Sequence, residues 1–538
     1  MIILGIHSSL TANSHDPSIT LIKNGKLIFA LEEERVNRNK TSNGRFPEFA
    51  IKNCLNFLKI SIKQIDIIAL DGTTFKKNKF KIERMFKFLF GYCPKILVFN
   101  HADCHNYGSF YSSHFEQSLV VSLDGIGDRV STQVCTASRK KGLKVIWEEG
   151  FEGSLGIFYT IFTNFLGFQS IEGEYKLMGM AAYGKPRFKI LKNLIYFDEK
   201  KEKIVINFSK IFDYKFHSSI QEPKYHPNLE KFINIKRPIN TKSFTQSHFD
   251  LAASVQYAFE IVYIKILKYF LIKTGMKNLC LSGGCALNCL ANSKIDFINT
   301  SKNLYVMPSA SDRGLSLGAA AKASFQKKLP MKSVPTVFLG KKYKNINIIK
   351  AIKQSGLKFI KLDNIYKITA KNIVKGKVIG WFQDRSEFGP RALGNRSILA
   401  STNFKNMKNI LNEKIKFRES YRPFAPSVLQ EDVHKVTSNT YINEFMTNIC
   451  PIETNKDLLS EAINVDGTAR LHTVNKKSNL KLFKLLKEIK KISGFGAVIN
   501  TSFNLAGEPI VESPEDAIRT FVSSDIDFLI IGNYMLNK

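Results

Sequence analysis

Short apolar strands run into aspartate- or glycine-bearing loops at two widely separated places in this chain. Residues 120–123 lead directly into an Asp-Gly-Ile-Gly turn that starts at Asp124, and residues 279–281 lead into Gly283 and Gly284. The ends of such strands are where α/β folds place their ligands. The chain has 538 residues, whereas single cores stop growing near ~250–300 residues. We therefore expect an α/β protein with two or more domains and a ligand site beside these loops.

Periodicity and turn signals outline the elements around these loops. Residues 2–6, 18–22 and 27–31 read as strands, the last two joined by an Asn-Gly turn. Apolar residues recur at helical spacing over 250–273, and helices are also expected over 286–294 and 406–417. Ser513, Pro514 and the acids after them predict a helix start. Residues 326–345, with two prolines and several lysines, are the expected linker between domains 1–325 and 346–538.

Composition limits the classes of binding partner and the cellular compartment that we expect for this chain. The formal net charge is +33, but the basic residues are scattered and form neither an arm nor a helical stripe. We therefore expect anionic small molecules as partners, and not nucleic acid. The eight cysteines form no Cys-x-x-Cys pair, which fits reduced thiols in the cytoplasm. We expect neither a signal peptide nor a membrane-spanning segment. A homodimer is a candidate assembly.

His101 and His105 are spaced by one helical turn, so both imidazoles can face one metal ion. Asp124 and Asp312 lie in loops and offer carboxylate ligands. This donor set suits iron(II), manganese or zinc. The alternatives are two ordinary helical histidines, with each aspartate acting as a cap or turn residue. Ala102 stands where a zinc protease helix would need its glutamate base.

Two further clusters suggest binding of phosphate-bearing molecules. Gly283 and Gly284 stand between a strand and a helix, where backbone amides can approach a phosphate. Asn288 follows on that helix as a candidate adenylate contact, with helix capping as the alternative. Guanidinium groups bind phosphate in a bidentate manner. The candidate ligands for such a polyanion are Arg385, Arg391, Arg396, Lys416, Arg418, Arg422, Arg470, Ser502 and Asn504. A solvated basic face is the competing interpretation.

The ordered set of motifs resembles the NodU/CmcH carbamoyltransferase family almost from end to end. The resemblance is carried by HDPS (15–18), EEER (32–35), HADCH (101–105), SLDGIGD (122–128), SLGIFYT (154–160), GEYKLMGMAAYG (173–184), LSGGCALNCLAN (281–292), SDRGLSLGAA (311–320), EFGPRALGNRSIL (387–399), RESYRPFAPS (418–427), DGTAR (466–470) and NTSFNLAGEPIV (500–511). The sequence departs from the family pattern at Ala102, Asp384 and Asn464.

The resemblance implies an N-terminal domain with the duplicated actin-like ATPase (ASKHA) fold and a C-terminal YrdC-like α/β domain. It implies that the C-terminal domain uses carbamoyl phosphate, ATP and Mg²⁺ to form carbamoyladenylate. The N-terminal domain would then pass the carbamoyl group to a hydroxyl of a small, sugar-like acceptor beside an iron(II) or other divalent ion. The residues expected to be catalytic are His15, Lys40, Arg391 and Lys416. Of these, His15 is assigned to the transfer step.

Three other functions are weighed against this prediction. A tRNA-modifying enzyme that transfers threonylcarbamoyl would suit the basic charge, but here both activities are expected on one chain. A hydrogenase-maturation carbamoyltransferase would carry zinc-finger Cys-x-x-Cys pairs, which this sequence lacks. A nucleotide-dependent regulator without catalysis is the alternative from another class, and it would not release pyrophosphate or AMP.

Overall fold

The structure is a computed structural model that describes residues 1–10, 14–74, 76–213, 225–240, 243–295, 303–334, 336–439 and 442–538. It divides into a first unit of residues 1–28, 43–48 and 60–334 and a second unit of residues 29–42, 49–59 and 335–538. The main division lies inside the expected linker. Residues 29–42 and 49–59, which the sequence analysis placed in the N-terminal domain, group with the second unit.

The first sheet of the first unit is a three-stranded meander extended by two parallel strands. Ile2–His7 pairs antiparallel with Ser18–Lys23 and parallel with Ile67–Asp71. The full order is Lys26–Glu32, Ser18–Lys23, Ile2–His7, Ile67–Asp71 and Lys95–Phe99. Five of the six residues of Ile2–His7 are buried, as expected for a strand covered on both faces.

The second sheet repeats this topology. Gln117–Gly127 pairs antiparallel with Val130–Ser138 and parallel with Leu279–Ser282. The full order is Gly142–Glu149, Val130–Ser138, Gln117–Gly127, Leu279–Ser282 and Leu304–Val306. Both sheets therefore consist of an antiparallel meander whose first strand continues into two parallel strands. This duplication confirms the expected actin-like ATPase fold of the first unit.

Helices cover these sheets, and two of them make an unusually close contact. A Cβ at Gly318 would lie 1.6 Å from the Cys104 carbonyl oxygen, so no other residue fits there without movement. This contact joins the helix that begins at His101 to the helix that follows Asp312. The helices of the unit are Lys76–Phe90, His101–Ser112, Leu155–Phe165, Glu174–Ala181, Lys189–Leu194, Phe208–Ile211, Leu229–Ile233, Gln246–Thr274, Cys289–Ser293 and Leu315–Gln326, and a hairpin joins Ile195–Asp198 to Lys203–Ile206.

The second unit is built on an eight-stranded mixed sheet. Its order is Lys358–Lys361, Tyr534–Asn537, Phe528–Ile531, Ile379–Phe382, Arg396–Ala400, Ala497–Ser502, Ala425–Leu429 and His472–Val474. Two short ribbons accompany it, Phe338–Lys342 with Arg385–Glu387 and Cys450–Pro451 with Thr468–Ala469. The sheet mixes parallel and antiparallel pairs, because Ile379–Phe382 is parallel to Phe528–Ile531 and antiparallel to Arg396–Ala400.

Successive residues of the central strands belong to different cores. Ile398 and Ala400 pack in one core with residues of Asn345–Ser355 and Pro514–Val522. Leu399 packs in the other, with residues of Ile365–Val374 and Leu480–Ser493. Helices therefore cover both faces of the sheet, which agrees with the period of two along a strand. The remaining helices are Glu33–Asn37, Glu48–Leu58 and Met407–Asn409.

Two segments expected to be continuous helices are interrupted. Residues 286–294 split into the 3₁₀ turn Gly284–Leu287 and the helix Cys289–Ser293, because Asn288 caps the second piece. Residues 406–417 become the short helix Met407–Asn409 and the π-helical turn Ile410–Ile415. Within the described residues, no helix combines the length and apolarity needed to cross a bilayer.

Candidate metal centre and anion pocket

The helix His101–Ser112 begins directly after the strand Lys95–Phe99, and Asn100 caps it by accepting from the amides of Ala102 and Asp103. This start places the two histidines at the sheet edge. Their ring centroids are 4.9 Å apart. The one-turn spacing in the sequence is therefore realised as two neighbouring, buried imidazoles.

The two predicted carboxylates meet these imidazoles. Asp124 lies within the strand Gln117–Gly127, and Asp312 opens the 3₁₀ turn ahead of the helix Leu315–Gln326. One ligand atom from each of the four side chains lies within 4.8 Å of the other three. His101 Nε2 is 3.3 Å from Asp124 Oδ2, and His105 Nε2 is 3.6 Å from both carboxylates. The structure thus brings together all four predicted ligands.

The buried imidazole of His105 tests whether these residues fit a metal ion. Neither of its ring nitrogens has a hydrogen-bond partner among the residues that the structure describes, although both are shielded from solvent. Ligand atoms about 3.3–3.6 Å apart are also what an ion held at about 2.1 Å would require. The two imidazoles and two carboxylates therefore fit a divalent cation that accepts nitrogen and oxygen ligands.

The double glycine holds one of these carboxylates. Gly284 N–H donates to Asp124 Oδ1 at 2.9 Å. Gly283 has φ = +82°, and a Cβ there would lie 2.1 Å from the Leu123 carbonyl oxygen. The predicted phosphate contact at Gly284 thus has a protein partner here. Asn288, predicted to contact adenylate, instead caps its helix and exchanges two 3.0 Å hydrogen bonds with Gln256.

His15 stands at the edge of the metal cluster. Its Nε2 is 3.7 Å from Asp312 Oδ2 and its Nδ1 is 3.2 Å from Asp16 Oδ2. Burial lowers the pKa of His15, but the charges of Asp312 and Asp16 outweigh burial and raise it to about 9. Arg313 in turn donates to Asp16 at 2.9 Å. His15 is therefore held beside the cluster by groups on both of its ring nitrogens.

Sequence reasoning missed a second histidine–aspartate pair behind the cluster. His7 Nδ1 lies 2.9 Å from Asp71 Oδ1, and His7 Nε2 lies 2.7 Å from the His15 carbonyl oxygen. Asp71 Oδ2 is also 3.7 Å from His101 Nδ1. His7 and Asp71 end neighbouring strands of the first sheet. Their positions at the ends of two strands could have identified both residues as site candidates from the sequence.

In the second unit, Lys416 follows the π-helical turn and is buried. Its ammonium group donates to Ser502 O at 2.6 Å and Oγ at 3.1 Å, and to Asn504 O at 2.9 Å and Oδ1 at 2.7 Å. Burial lowers the pKa of Lys416 well below its usual value, and the charges of Arg418, Arg422 and Lys40 lower it further. These six predicted residues are therefore gathered in one cationic pocket.

Two of the predicted arginines are engaged by the protein itself. Arg396 is fully buried, stacks 3.7 Å from the Phe382 ring centroid and donates to the carbonyls of Gln383 and Asn395. Arg385 donates to the carbonyl oxygens of Gly340, at 2.7 Å, and Leu339. Their donors serve the backbone, because loops buried around a sheet must satisfy their carbonyl groups. We therefore leave both out of the proposed anion pocket.

Arg391 lies in a loop organised by Glu387, a residue that the sequence analysis did not single out. Glu387 Oε1 accepts from the amides of Leu393 and Asn395 at 2.8 Å and of Arg396 at 3.2 Å. Arg470 directly follows the short strand Thr468–Ala469, and its Nε is buried without a hydrogen-bond partner. Both arginines stay predicted ligands.

Comparison with known proteins identifies the family of this chain. Residues 86–321 match the family model described as Carbamoyltransferase N-terminus, and residues 370–538 match Carbamoyltransferase C-terminus. Nodulation protein NolNO of Sinorhizobium fredii is 34% identical over 97% of this chain and 79% of its own. The 3'-hydroxymethylcephem-O-carbamoyltransferase of Streptomyces clavuligerus is 31% identical over 47% of this chain and 48% of its own.

Among solved structures, full-length HypF in its phosphate- and nucleotide-bound form covers 60% of this chain and 55% of its own, with 12% identity and a TM-score of 0.33. The sequence matches, by contrast, extend over both units. On the strength of the two family models and of NolNO, the chain belongs to the carbamoyltransferase family, whose members are enzymes that transfer carbamoyl groups.

Proposed function

We propose that this carbamoyltransferase modifies a hydroxyl group in two steps, one in each unit, of which the first consumes ATP. In the second unit, water hydrolyses carbamoyl phosphate to carbamate and phosphate, and a carbamate oxygen attacks the α-phosphate of ATP. Carbamoyladenylate forms and pyrophosphate leaves. In the first unit, an acceptor hydroxyl takes the carbamoyl group and AMP leaves. The observation that carries this proposal is the occurrence of a cationic pocket and an imidazole–carboxylate cluster in different units of one carbamoyltransferase.

The cationic pocket suits the first step because both of its substrates carry negatively charged phosphate groups. Lys40, Lys416, Arg418 and Arg422 concentrate positive charge, which stabilises anions most where water is excluded. Arg391 and Arg470 are proposed to complete the contacts to carbamoyl phosphate and ATP. Mg²⁺ enters with ATP. Ser502 and Asn504 hold the Lys416 ammonium group in place through four acceptors.

The metal centre suits the transfer step. A divalent ion, iron(II) in our proposal, would be held by His101, His105, Asp124 and Asp312 and would supply Lewis-acid polarisation of a carbonyl group. Gly284 keeps Asp124 oriented, and orientation by such outer partners is required for tight metal binding. His15 is proposed to position the acceptor hydroxyl, since it lies beside Asp312 at the edge of the cluster.

We propose a small, sugar-containing acceptor and a cytoplasmic site of action. The name of the cephem O-carbamoyltransferase supports a hydroxyl on a small molecule. All eight cysteines are free thiols, which suits a reducing compartment that also supplies ATP. Mass spectrometry after incubation with sugars, nucleotide sugars and tRNA should show a carbamoyl mass gain on a sugar-containing compound. A threonylcarbamoyl gain on tRNA would replace this proposal by the tRNA-modification alternative.

The adenylate step is tested without knowing the acceptor. The purified chain with ATP, Mg²⁺ and carbamoyl phosphate should release pyrophosphate, and Arg391→Ala should abolish that release. Wild-type release by Arg391→Ala would exclude this arginine from the site. If the wild-type chain released no pyrophosphate with carbamoyl phosphate present, the two-step reaction would be wrong.

A further inference from the structure

Glu174 presents a carboxylate oxygen that has no partner among the described residues. This residue begins the helix Glu174–Ala181. Its Oε1 accepts from the Thr160 hydroxyl at 2.8 Å and from the Ile171 amide at 3.2 Å. Its Oε2 is shielded from solvent and has no hydrogen-bond partner in the part of the chain that the structure describes. An unmet buried polar atom is destabilising, so it is expected where a ligand supplies the missing partner.

The helix that binds Glu174 packs against one of the cluster carboxylate residues. Thr160, which donates to Glu174, lies on the helix Leu155–Phe165, where a Cβ at Gly156 would be 2.7 Å from the Asp124 carbonyl oxygen. The charge of His15 acts on Glu174, and the charge of Glu174 acts on the Cys285 thiol. His15 lies 3.7 Å from Asp312, and Cys285 directly follows Gly284, whose amide binds Asp124. Glu174 therefore borders the space beside the metal centre where the carbamoyl group is proposed to be transferred.

The ionised form of Glu174 accepts hydrogen bonds only, so the missing partner of that form is a donor. Burial raises the pKa of Glu174, and the hydrogen bonds from Thr160 and Ile171 to Oε1 oppose this shift by stabilising the ionised carboxylate. The proposed transfer reaction brings three donors, namely the acceptor hydroxyl, the ribose hydroxyls and the carbamoyl NH₂ group. His15 is assigned to the acceptor hydroxyl. The ribose is separated from the reacting carbon by the phosphate ester and a methylene group, whereas the NH₂ group is bonded to that carbon.

We propose that Glu174 Oε2 accepts a hydrogen bond from the carbamoyl NH₂ group and makes the first unit selective for carbamoyl over acetyl groups. This inference rests on the proposed function, because it requires carbamoyladenylate at the metal centre. A site built to bind an N–H group discriminates strongly against an analogue that lacks it, since its own polar atom is then left unpaired. An acetyl group has a methyl group at the same position.

The test compares two non-hydrolysable adenylate analogues, carbamoylsulfamoyl adenosine and acetylsulfamoyl adenosine, which differ only in NH₂ against CH₃. Calorimetric titrations use the full-length chain with Lys416→Met, so that binding in the second unit is suppressed. The parent is expected to bind the carbamoyl analogue about tenfold or more tightly, the size expected for a hydrogen bond to a charged group.

Glu174→Gln is the informative variant. The Ile171 amide can only donate, so it will draw the glutamine carbonyl to the Oε1 position and leave the NH₂ group at the Oε2 position. That group would face the carbamoyl NH₂ donor to donor. The variant should lose the preference while binding the acetyl analogue as the parent does. Glu152→Gln, a change at an exposed residue, should keep the preference.

Each other result overturns the inference. If the parent bound the two analogues with equal affinity, the first unit would not be selective for the carbamoyl group. If Glu174→Gln weakened the binding of both analogues equally, the carboxylate would contact the ribose that both analogues share. If the variant bound both analogues as the parent does, the carboxylate would contact the acceptor and not the adenylate. If the parent bound neither analogue, the proposed function of the first unit would fail as well, which separates that failure from an error about Glu174.

Discussion

The backbone N–H of Gly284 donates a 2.9 Å hydrogen bond to Asp124 Oδ1. The other carboxylate oxygen, Oδ2, is the one that faces His101 and His105. The loop after Leu279–Ser282 thereby fixes the rotation of a side chain on the neighbouring strand Gln117–Gly127. The double glycine is thus tied to the geometry of the proposed metal ligands.

Gly283→Ala should lower metal affinity about tenfold or more, the usual effect of disturbing an outer partner of a ligand. A methyl group would lie 2.1 Å from the Leu123 carbonyl oxygen, so the loop that positions Gly284 must move. Metal content after dialysis against graded metal concentrations measures the effect. Gly167→Ala is the matched control, because Gly167 has φ = +83° and open space around its Cβ position. Equal metal loss in both variants would show that backbone strain alone is responsible.

Replacing His101 and His105 together by alanine should abolish stoichiometric metal binding, because half of the proposed ligands are removed. Elemental analysis of the purified chain gives the occupancy. His114→Ala, at an exposed histidine in the same region, should bind metal as the wild type does. Unchanged occupancy in the double variant would refute the assignment.

Lys416→Met should slow pyrophosphate release by about 100-fold or more, because the pocket loses a buried amine that we propose stabilises developing phosphate charge. Transfer from added carbamoyladenylate should stay near the wild-type rate, which shows that the first unit is intact. The exposed neighbour change Lys414→Met should leave both rates unchanged. Normal pyrophosphate release by Lys416→Met would remove this lysine from the adenylate site.

His15→Asn should form carbamoyladenylate at the wild-type rate and transfer the carbamoyl group about 100-fold more slowly. The residue lies beside Asp312 in the first unit, whereas the residues of the cationic pocket belong to the second unit. Separate assays of pyrophosphate and AMP release distinguish the steps, with His114→Asn as the control. Loss of both activities, or of neither, would contradict a role confined to transfer.

The second unit should lose stability in mild acid because its folded state disfavours protonation of His472. Its Nδ1 lies 2.7 Å from the Ser427 hydroxyl, and burial lowers its pKa from 6.5 to about 3. Folding therefore favours the neutral ring, so the unfolded chain binds the extra proton between these two pH values. Stability should fall by up to about 1.4 kcal/mol per pH unit as the pH drops below 6.5. Urea midpoints at several pH values measure this slope.

His472→Gln provides the comparison for that slope. Glutamine does not titrate, so the variant should show a shallower decrease in stability than the wild type over the same pH range. The carboxylates titrate equally in both chains, so their contribution to the slope cancels when the two chains are compared. Identical slopes would show that His472 does not control the acid sensitivity.

Local signals in the sequence were sufficient for many elements and for bringing together the two histidines and two aspartates of the candidate metal centre. The capping box of Ser513 and the long helix Gln246–Thr274 follow from neighbouring residues, and the structure confirms both. The spacing of His101 and His105 likewise depends on one turn of one helix. Asp124 and Asp312 were identified because strand ends of an α/β fold converge, which is a general rule.

Features that depend on distant residues were not predictable in this way. Arg396 looked like a phosphate ligand because the sequence shows its charge and its glycine-rich surroundings, but not the carbonyls that receive its hydrogen bonds. The hydrogen bonds that engage Asn288 come from Gln256, which lies on another helix. The π-helical turn before Lys416 similarly has no simple local pattern. Tertiary partners decided each of these cases.

The second unit is made of three separate segments of the chain, which has a consequence for folding during translation. Residues 29–42 and 49–59 leave the ribosome early, whereas the other residues of their unit start at 335. At about 5–20 residues per second, translation of the intervening chain takes on the order of 15–60 s. During that interval the apolar face of Glu48–Leu58, with Ile51, Cys54 and Leu55, lacks the rest of its unit. A holdase chaperone is therefore expected to bind this segment on nascent chains and to leave once the C-terminal residues have folded.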